Sequence, residues 1–247
     1  MTATSEEGSR KSKYEALKIR IMASEALRLA KKLYSYRQLS EMIGLPESVI
    51  AKYVTGHTVP SLEQATRILE RLEKAINPRR IIASRLSELG GLIDLSPVLT
   101  DPLLLRIVSL YFYRRFQGDG VTRILVPEAS GISLATALAI IFEVPMAIAR
   151  RSKHNPYEEY IEGAYVEPPN SYLVFYVPRN SISRRDRILI VDDIVQSGRT
   201  LYVMKRIVEK VGARIVGVAA LVAIGEEWVK RGGIKRVEAI VHIHKAS

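Results

Sequence analysis

The chain has 247 residues, of which 47% are hydrophobic and 26% charged, as in globular proteins and unlike disordered ones. It has no cysteine, which excludes disulfide bonds and thiolate metal sites. Its net charge of +11 favours DNA or a phosphorylated ligand as a partner. Without an apolar run of about 18 residues or a secretory leader, it is expected to be cytoplasmic with no membrane partner.

The first 76 residues have the hydrophobic periodicity of an all-helical domain. Residues 13–33 place apolar side chains at helical spacing. Glycine, proline and serine punctuation predicts three shorter helices after it, over 36–43, 47–55 and 61–76. This part of the chain is also the more basic one: residues 1–80 hold 15 Lys and Arg against nine Asp and Glu, and the other 167 hold 22 against 17.

The segment "RQLSEMIGLPESVIAKYVTG" (37–56) predicts two helices joined by a tight turn, the second of them shaped to fit the DNA major groove. It resembles the helix-turn-helix of the phage-repressor family, and the resemblance covers about residues 14–76. By that resemblance Glu47, Ser48 and Lys52 would face bases, whereas Arg37, Thr55, His57 and Thr58 would lie near phosphates. Glu47 departs from the polar amide frequent at its position: a carboxylate accepts from cytosine N4 but is repelled by phosphate. The alternative is a helical module that binds protein.

From about residue 121, apolar β-branched runs alternate with helical patterns. This alternation predicts an α/β fold with a mostly parallel sheet flanked by helices, following an all-helical N-terminal domain. Residues 77–98 contain Gly and Pro and are predicted to link the domains, so that the domains are 1–76 and 99–247. The polar, aperiodic stretch 151–170 is predicted to be a long functional or mobile loop. Ligands of such sheets bind at the carboxyl ends of the strands.

One such end carries "RILIVDDIVQSGRT" (187–200), an apolar run that finishes in Asp192 and Asp193. Adjacent acids there suit metal ligands, general bases or acceptors for sugar hydroxyls. The following loop offers backbone amides, two hydroxyls and a glycine at the start of a predicted helix, which together make a phosphate cradle. A cradle next to carboxylates that accept from a vicinal diol predicts a site for a ribose 5-phosphate.

The stretch resembles the signature of the type I phosphoribosyltransferase fold. The resemblance implies that Asp192 and Asp193 bind the ribose hydroxyls, and that the 5-phosphate is wrapped by Gln196, Ser197, Gly198, Arg199 and Thr200. Gln196 stands where threonine is common, and Arg199 replaces a frequent glycine. "ILVPEASGISL" resembles the fold's pyrophosphate turn, here Glu128, Ala129, Ser130 and Gly131, and the basic pair that ends the next strand is Arg150 and Arg151.

Each of these assignments has a plainer alternative. Glu128 also suits the positive end of a helix, and the two arginines suit a solvated strand end. In the family the loop 151–170 corresponds to a flexible lid, and the link before residue 99 begins a hood over the base. Trp228, with Glu226 and Glu227, lines a base site or simply packs a helix.

The two motifs together resemble a group of archaeal transcription regulators that includes regulators of sugar catabolism. This implies a homodimer that binds a palindromic operator in double-stranded DNA and takes phosphoribosyl pyrophosphate or a nucleotide as effector. Mg²⁺ would accompany the pyrophosphate, with no direct protein ligand and no catalytic residue. The alternatives are an active purine or pyrimidine phosphoribosyltransferase with an attached DNA-binding module, and a DNA-binding protein with no ligand.

Overall fold

The chain divides into two units, Met1–Pro78 and Arg79–Ser247. The structure is a computed structural model that describes residues 3–75, 77–89, 92–167 and 171–244. Within these ranges, no helix combines the length and the apolar character needed to span a membrane.

The N-terminal unit is helical as predicted, and its first helix begins ten residues earlier than the expected start at residue 13. Its helices are α1 (Ala3–Lys31), α2 (Tyr36–Ile43), α3 (Glu47–Thr55) and α4 (Leu62–Ala75). Ser35 and Gln38 form a capping box at the start of α2, and Gly44 ends that helix at a left-handed φ of 71°. Leu27, Leu39 and Ile50 are fully buried at the centre of this unit and hold the helices together.

The second unit is α/β. Its helices are α5 (Pro78–Ala83), α6 (Ser96–Leu99), α7 (Pro102–Phe116), α8 (Ile132–Phe142), α9 (Arg199–Val211) and α10 (Glu227–Gly232). Its strands are β1 (Ser87–Leu89), β2 (Leu92–Asp94), β3 (Arg123–Pro127), β4 (Met146–Ala149), β5 (Tyr160–Glu167), β6 (Ser171–Pro178), β7 (Arg187–Val195), β8 (Arg214–Ile224) and β9 (Val237–Ile243).

Five of these strands form one parallel sheet in the order β4-β3-β7-β8-β9. Alternate side chains of β3 and β7 enter two cores. One core lies under α7 and α8, and the other lies under α9 and the β5–β6 hairpin. From β3 the chain crosses outward to β4, and from β7 it crosses the other way to β8. The gap between β3 and β7 is therefore the topological switch point, where ligands of such sheets bind.

Two stretches differ from their predicted structure. Residues 77–98, expected to link the domains, belong to the second unit from Arg79 onward. They contain α5 and the antiparallel β1–β2 pair, and they bury Ile82, Leu95 and Val98 in the core under α7. The stretch 151–170 was expected to be a loop throughout, but from Tyr160 it forms β5, which pairs with β6 over eight residues. Pro168, Pro169 and Asn170 of that stretch lie outside the described residues.

Candidate functional site

The switch point brings the two predicted ligand loops into contact. The turn after β3 and the acidic end of β7 lie so close that a Cβ on Gly131 would be 3.4 Å from the Asp192 Cα and 3.5 Å from the Asp193 nitrogen. Glycine lets the two backbones approach in this way. Glu128 and Ala129 precede this contact and are joined by a cis peptide bond.

The acidic pair lies near the carboxyl end of β7, which continues to Val195. Asp192 is 8% exposed and Asp193 is half-buried. The Asp192 Oδ1 accepts from the Asp193 N–H at 3.0 Å, and the Asp193 Oδ1 accepts from the Ile194 N–H at 2.8 Å. Burial, and next the charge of Asp193, raise the pKa of Asp192 well above its ordinary value. Each carboxylate uses Oδ1 for a backbone N–H, and the other oxygens of the pair keep acceptor capacity for an incoming diol.

Asp186, which directly precedes β7, is a second buried aspartate whose pKa can be compared with that of Asp192. It is also 8% exposed. Burial alone would raise its pKa, but hydrogen bonds from the Ser183 N–H and the Thr122 hydroxyl, together with the charge of Arg123, hold it below the ordinary value. The two buried aspartates thus differ in their effect on folding.

We expect Asp192→Asn to stabilise the ligand-free protein at neutral pH and Asp186→Asn to destabilise it by about 1–3 kcal/mol, the cost of losing charged hydrogen bonds. A raised folded-state pKa means that stability falls as pH rises from the unfolded-state pKa to the folded one, and asparagine removes that loss. For Asp186 the sign is opposite, because its stabilisation is lost as pH falls through its lowered pKa. Thermal unfolding as a function of pH measures both. An Asp192→Asn variant that unfolds earlier than wild type at pH 7 would contradict this expectation.

The predicted phosphate cradle is the loop between β7 and α9. Gly198 lies at the N-terminus of α9 with φ 76°, and no side chain caps that helix. The Ser197 Oγ accepts from the Arg199 N–H at 3.4 Å, and Gln196 is exposed. The loop thus presents amides and a hydroxyl at the positive end of a helix of 13 residues, where an anion is stabilised.

Arg199 lies beside the cradle and contacts an aromatic ring. Its guanidinium stands 5.8 Å from the ring centroid of Tyr165 on β5, and the guanidinium of Arg231 stands at the same distance from that ring. Arg231 also donates to the Ser197 carbonyl at 2.9 Å and so fixes the loop from α10. No motif in the sequence points to Tyr165 or Arg231, because only the fold brings β5, α9 and α10 together.

The turn after β3 and the basic pair after β4 meet as one cluster. The Glu128 Oε1 accepts from the Arg151 N–H at 2.6 Å, and its Oε2 lies 3.6 Å from the Arg150 Nη1. Arg150 is tied to β6 by a bridge to Tyr176 and contacts the His154 Nε2 at 3.2 Å. Ala129 and Ser130 are exposed at the mouth of the turn. Glu128 therefore contacts the basic pair instead of facing open solvent.

Two further features bear on a ligand. Within the described ranges, no group of three or more His, Cys, Asp or Glu side chains is placed to hold a metal ion. Trp228 packs against the core under α9 and donates its Nε1–H to the Gly225 carbonyl at 2.9 Å, whereas Glu226 and Glu227 are exposed.

The N-terminal unit exposes the predicted DNA-facing residues. Ile50 and Tyr53 of α3 are buried, and the opposite face of that helix is open. The exposed predicted contacts are Arg37, Glu47, Ser48, Lys52, Thr55, His57 and Thr58. Arg37 pairs with Glu41 at 3.3 Å, and the Thr55 Oγ1 lies 3.0 Å from the His57 Nδ1. All seven side chains are accessible, and their contacts with DNA remain predictions.

Comparison with known proteins places this arrangement in a family. Residues 97–246, more than half of the chain, match the phosphoribosyl transferase domain. The chain belongs to the phosphoribosyltransferase family. Residues 12–77 match a helix-turn-helix family. The chain is 31% identical to xanthine phosphoribosyltransferases of Brevibacillus brevis, over 60% of this chain and 78% of that protein, and of Moorella thermoacetica, over 58% and 76%.

Solved structures confirm the fold of the phosphoribosyltransferase unit. The adenine phosphoribosyltransferase of Thermoanaerobacter pseudethanolicus superposes with a TM-score of 0.61 at 20% identity, over 67% of this chain and 99% of that one. The enzyme of the same name from Rhodothermus marinus gives 0.59 at 23%, over 68% and 99%. The predicted fold class, a helical N-terminal region followed by a type I phosphoribosyltransferase fold, is therefore confirmed.

Proposed function

We propose that this protein is a DNA-binding transcription regulator whose phosphoribosyltransferase unit binds phosphoribosyl pyrophosphate or a nucleotide as its effector. The observation that carries the proposal is the presence, in one chain, of a helix-turn-helix with an exposed α3 face and a phosphoribosyl transferase domain. Residues 1–76 are the DNA-binding part and residues 99–247 the ligand-binding part. The archaeal regulators of sugar catabolism are the group that the sequence resembles.

The effector is held through its phosphate and its diol. Asp192 and Asp193 accept from the ribose hydroxyls, and residues 196–200 bind the 5-phosphate at the N-terminus of α9. Residues 128–131 approach the pyrophosphate, next to Arg150 and Arg151. The contact of Gly131 with the Asp192 backbone supports this assignment, because it brings the two loops together at the switch point.

Mg²⁺ enters with the ligand. It is an oxygen-binding ion and takes phosphate oxygens readily. The donor chemistry of the crevice fits such a complex, since Asp192 and Asp193 supply carboxylate oxygens near the carboxyl end of β7. The ion neutralises pyrophosphate charge when bound, and the protein positions the sugar. No catalytic residue is assigned.

DNA binding is proposed to be dimeric. Two N-terminal units of a homodimer bind a palindromic operator whose half-sites are separated by one helical turn or a multiple of it. A single recognition helix contacts few bases, so that two copies are needed for specificity. The effector changes operator affinity by binding more tightly to one of two arrangements of the dimer.

The experiment is DNA binding by the purified full chain to promoter fragments from its source genome at physiological salt. We expect Ser48→Ala/Lys52→Ala to weaken binding about tenfold, within the range for losing one or two groove contacts. Thr66→Ala/Lys74→Ala removes the same two groups from exposed positions on α4 and serves as the control. Wild-type binding that never exceeds binding to random duplex, or an equal loss in both variants, would contradict the regulator assignment.

The second candidate is an active phosphoribosyltransferase, favoured by the 31% identity to proteins named xanthine phosphoribosyltransferase. Displacement of pyrophosphate depends mainly on positioning and charge neutralisation, so a binding protein and an enzyme share these motifs. Incubation with phosphoribosyl pyrophosphate, Mg²⁺ and a panel of purine and pyrimidine bases separates them. Pyrophosphate release that Asp192→Asn/Asp193→Asn abolishes would establish the enzyme.

A further inference from the structure

The edge of the sheet opposite the ligand crevice is strongly basic. Parallel strands bring all their amino ends to one edge, so the first residues of β3, β7, β8 and β9 and the turns that precede them are neighbours. The end of α7 reaches the same edge, because a short turn leads from it into β3. The cations of this amino edge are Arg115, Arg123, Arg184, Arg185, Arg187, Arg214, Lys235 and Arg236.

Three carboxylates of the amino edge, those of Asp119, Asp186 and Glu238, lie beside its inner cations. Asp186 pairs with Arg123 at 3.0 Å, and Asp119 pairs with Arg236 at 2.7 Å. Glu238 lies 3.6 Å from the Arg236 Nε. These acids neutralise the partly buried arginines that stand next to the core. They leave the outer cations of the edge uncompensated.

The outer cations are Arg184, Arg185, Arg214 and Lys235, and all four are exposed. The first two occupy the turn that the Asp186 N–H closes on the Ser183 carbonyl at 3.0 Å. Arg214 is the register neighbour of Arg187 on the adjacent strand. Over the part of the chain that the structure describes, none of the four side chains forms an ion pair with a carboxylate.

We propose that the amino edge is a second surface for duplex DNA, which binds phosphates without reading sequence. Cations grouped at one edge of the sheet can each neutralise a phosphate of a duplex, and each neutralised phosphate releases condensed counterions. Such contacts position a protein on DNA and add affinity, whereas base contacts supply sequence specificity. The choice of DNA rests on the proposed function, because the same chain carries a helix-turn-helix.

The test measures binding of the full chain to a random-sequence duplex over a series of KCl concentrations. We expect Arg184→Gln/Arg185→Gln/Arg214→Gln/Lys235→Gln to weaken binding at least about tenfold and to flatten the slope of log affinity against log salt by about 2–4, at about 0.9 per phosphate. Arg80→Gln/Arg85→Gln/Arg206→Gln/Lys230→Gln removes four charges from exposed positions elsewhere on the unit and should leave most of the slope in place. Lysine at the three arginine positions should restore binding.

Failure of this proposal and failure of the regulator assignment give different results. If the helix-turn-helix does not bind DNA, the Ser48→Ala/Lys52→Ala chain binds random duplex as tightly as wild type, while the edge variant still loses affinity. An unchanged slope in the edge variant, or equal losses in the edge and control variants, would overturn the proposal. Tighter binding of single-stranded RNA than of duplex would also overturn it and would assign the edge to RNA.

Discussion

Gly198→Ala is expected to lower affinity for phosphoribosyl pyrophosphate by at least about tenfold, because one or two charged hydrogen bonds worth about 1.5–3 kcal/mol each are lost. Gly198 has a φ of 76°, which side-chain-bearing residues rarely adopt. A Cβ there would lie 2.7 Å from the Trp228 Cα and 3.1 Å from the Gly232 nitrogen. Since both contacts are backbone, the cradle and α10 must move apart, and the loop amides leave the phosphate.

Gly212→Ala is the matched control. Gly212 ends α9 with a φ of 75°, but a Cβ there meets nothing within 4 Å. This variant should lose about 1 kcal/mol of stability from backbone strain and keep wild-type affinity for the ligand. Isothermal titration calorimetry with phosphoribosyl pyrophosphate and Mg²⁺ compares the two variants. Wild-type affinity in Gly198→Ala would show that the loop before α9 does not hold the phosphate.

The helical unit was predictable because residues next to each helix boundary determine where the helix begins and ends. Ser35 and Gln38 cap α2, Gly44 ends it, and the next helix begins directly after Pro46. These signals act over three or four residues, so no knowledge of the tertiary fold is needed. The order of strand, loop and helix over residues 187–211 was predictable for a similar reason, since its signals are also local. The role of the acid pair and the cradle in binding a ligand stays a prediction.

Strand β5 was not predicted, because one of its residues is determined by packing against α9, which is distant in sequence. Gly163 interrupts the strand pattern, and glycine weakens a strand by itself. In the fold, however, a Cβ at this position would lie 2.6 Å from the Ile207 Cγ1 and 2.8 Å from the Val203 Cγ1 on α9. Glycine is therefore required by packing between β5 and α9. A prediction based only on neighbouring residues cannot distinguish a glycine that packing requires from a glycine in a loop.

The stretch 77–98 differs in the other direction: it was predicted to be a link without packed structure, but most of it packs into the second unit. Glycine and proline suggested a free connection over 77–98, yet Ile82, Leu95 and Val98 in the same stretch are buried in the core under α7. The proline residues of this stretch lie in the first turns of the short helices α5 and α6. The long-range contacts of the site are equally hidden: Arg231 reaches Ser197 across 34 residues of chain. Burial and partners at such separations follow from topology.

The central claim is that a ligand in the phosphoribosyltransferase unit controls DNA binding, and one titration tests it. Affinity of the full chain for a promoter fragment is measured at fixed salt, with and without saturating phosphoribosyl pyrophosphate and Mg²⁺. We expect the dissociation constant to change by about 5- to 150-fold, the usual range of coupling between two sites. Gly198→Ala should bind the fragment normally without ligand and lose the response, whereas Gly212→Ala should keep it. The same dissociation constant with and without the ligand, in a protein shown by calorimetry to bind that ligand, would contradict the claim.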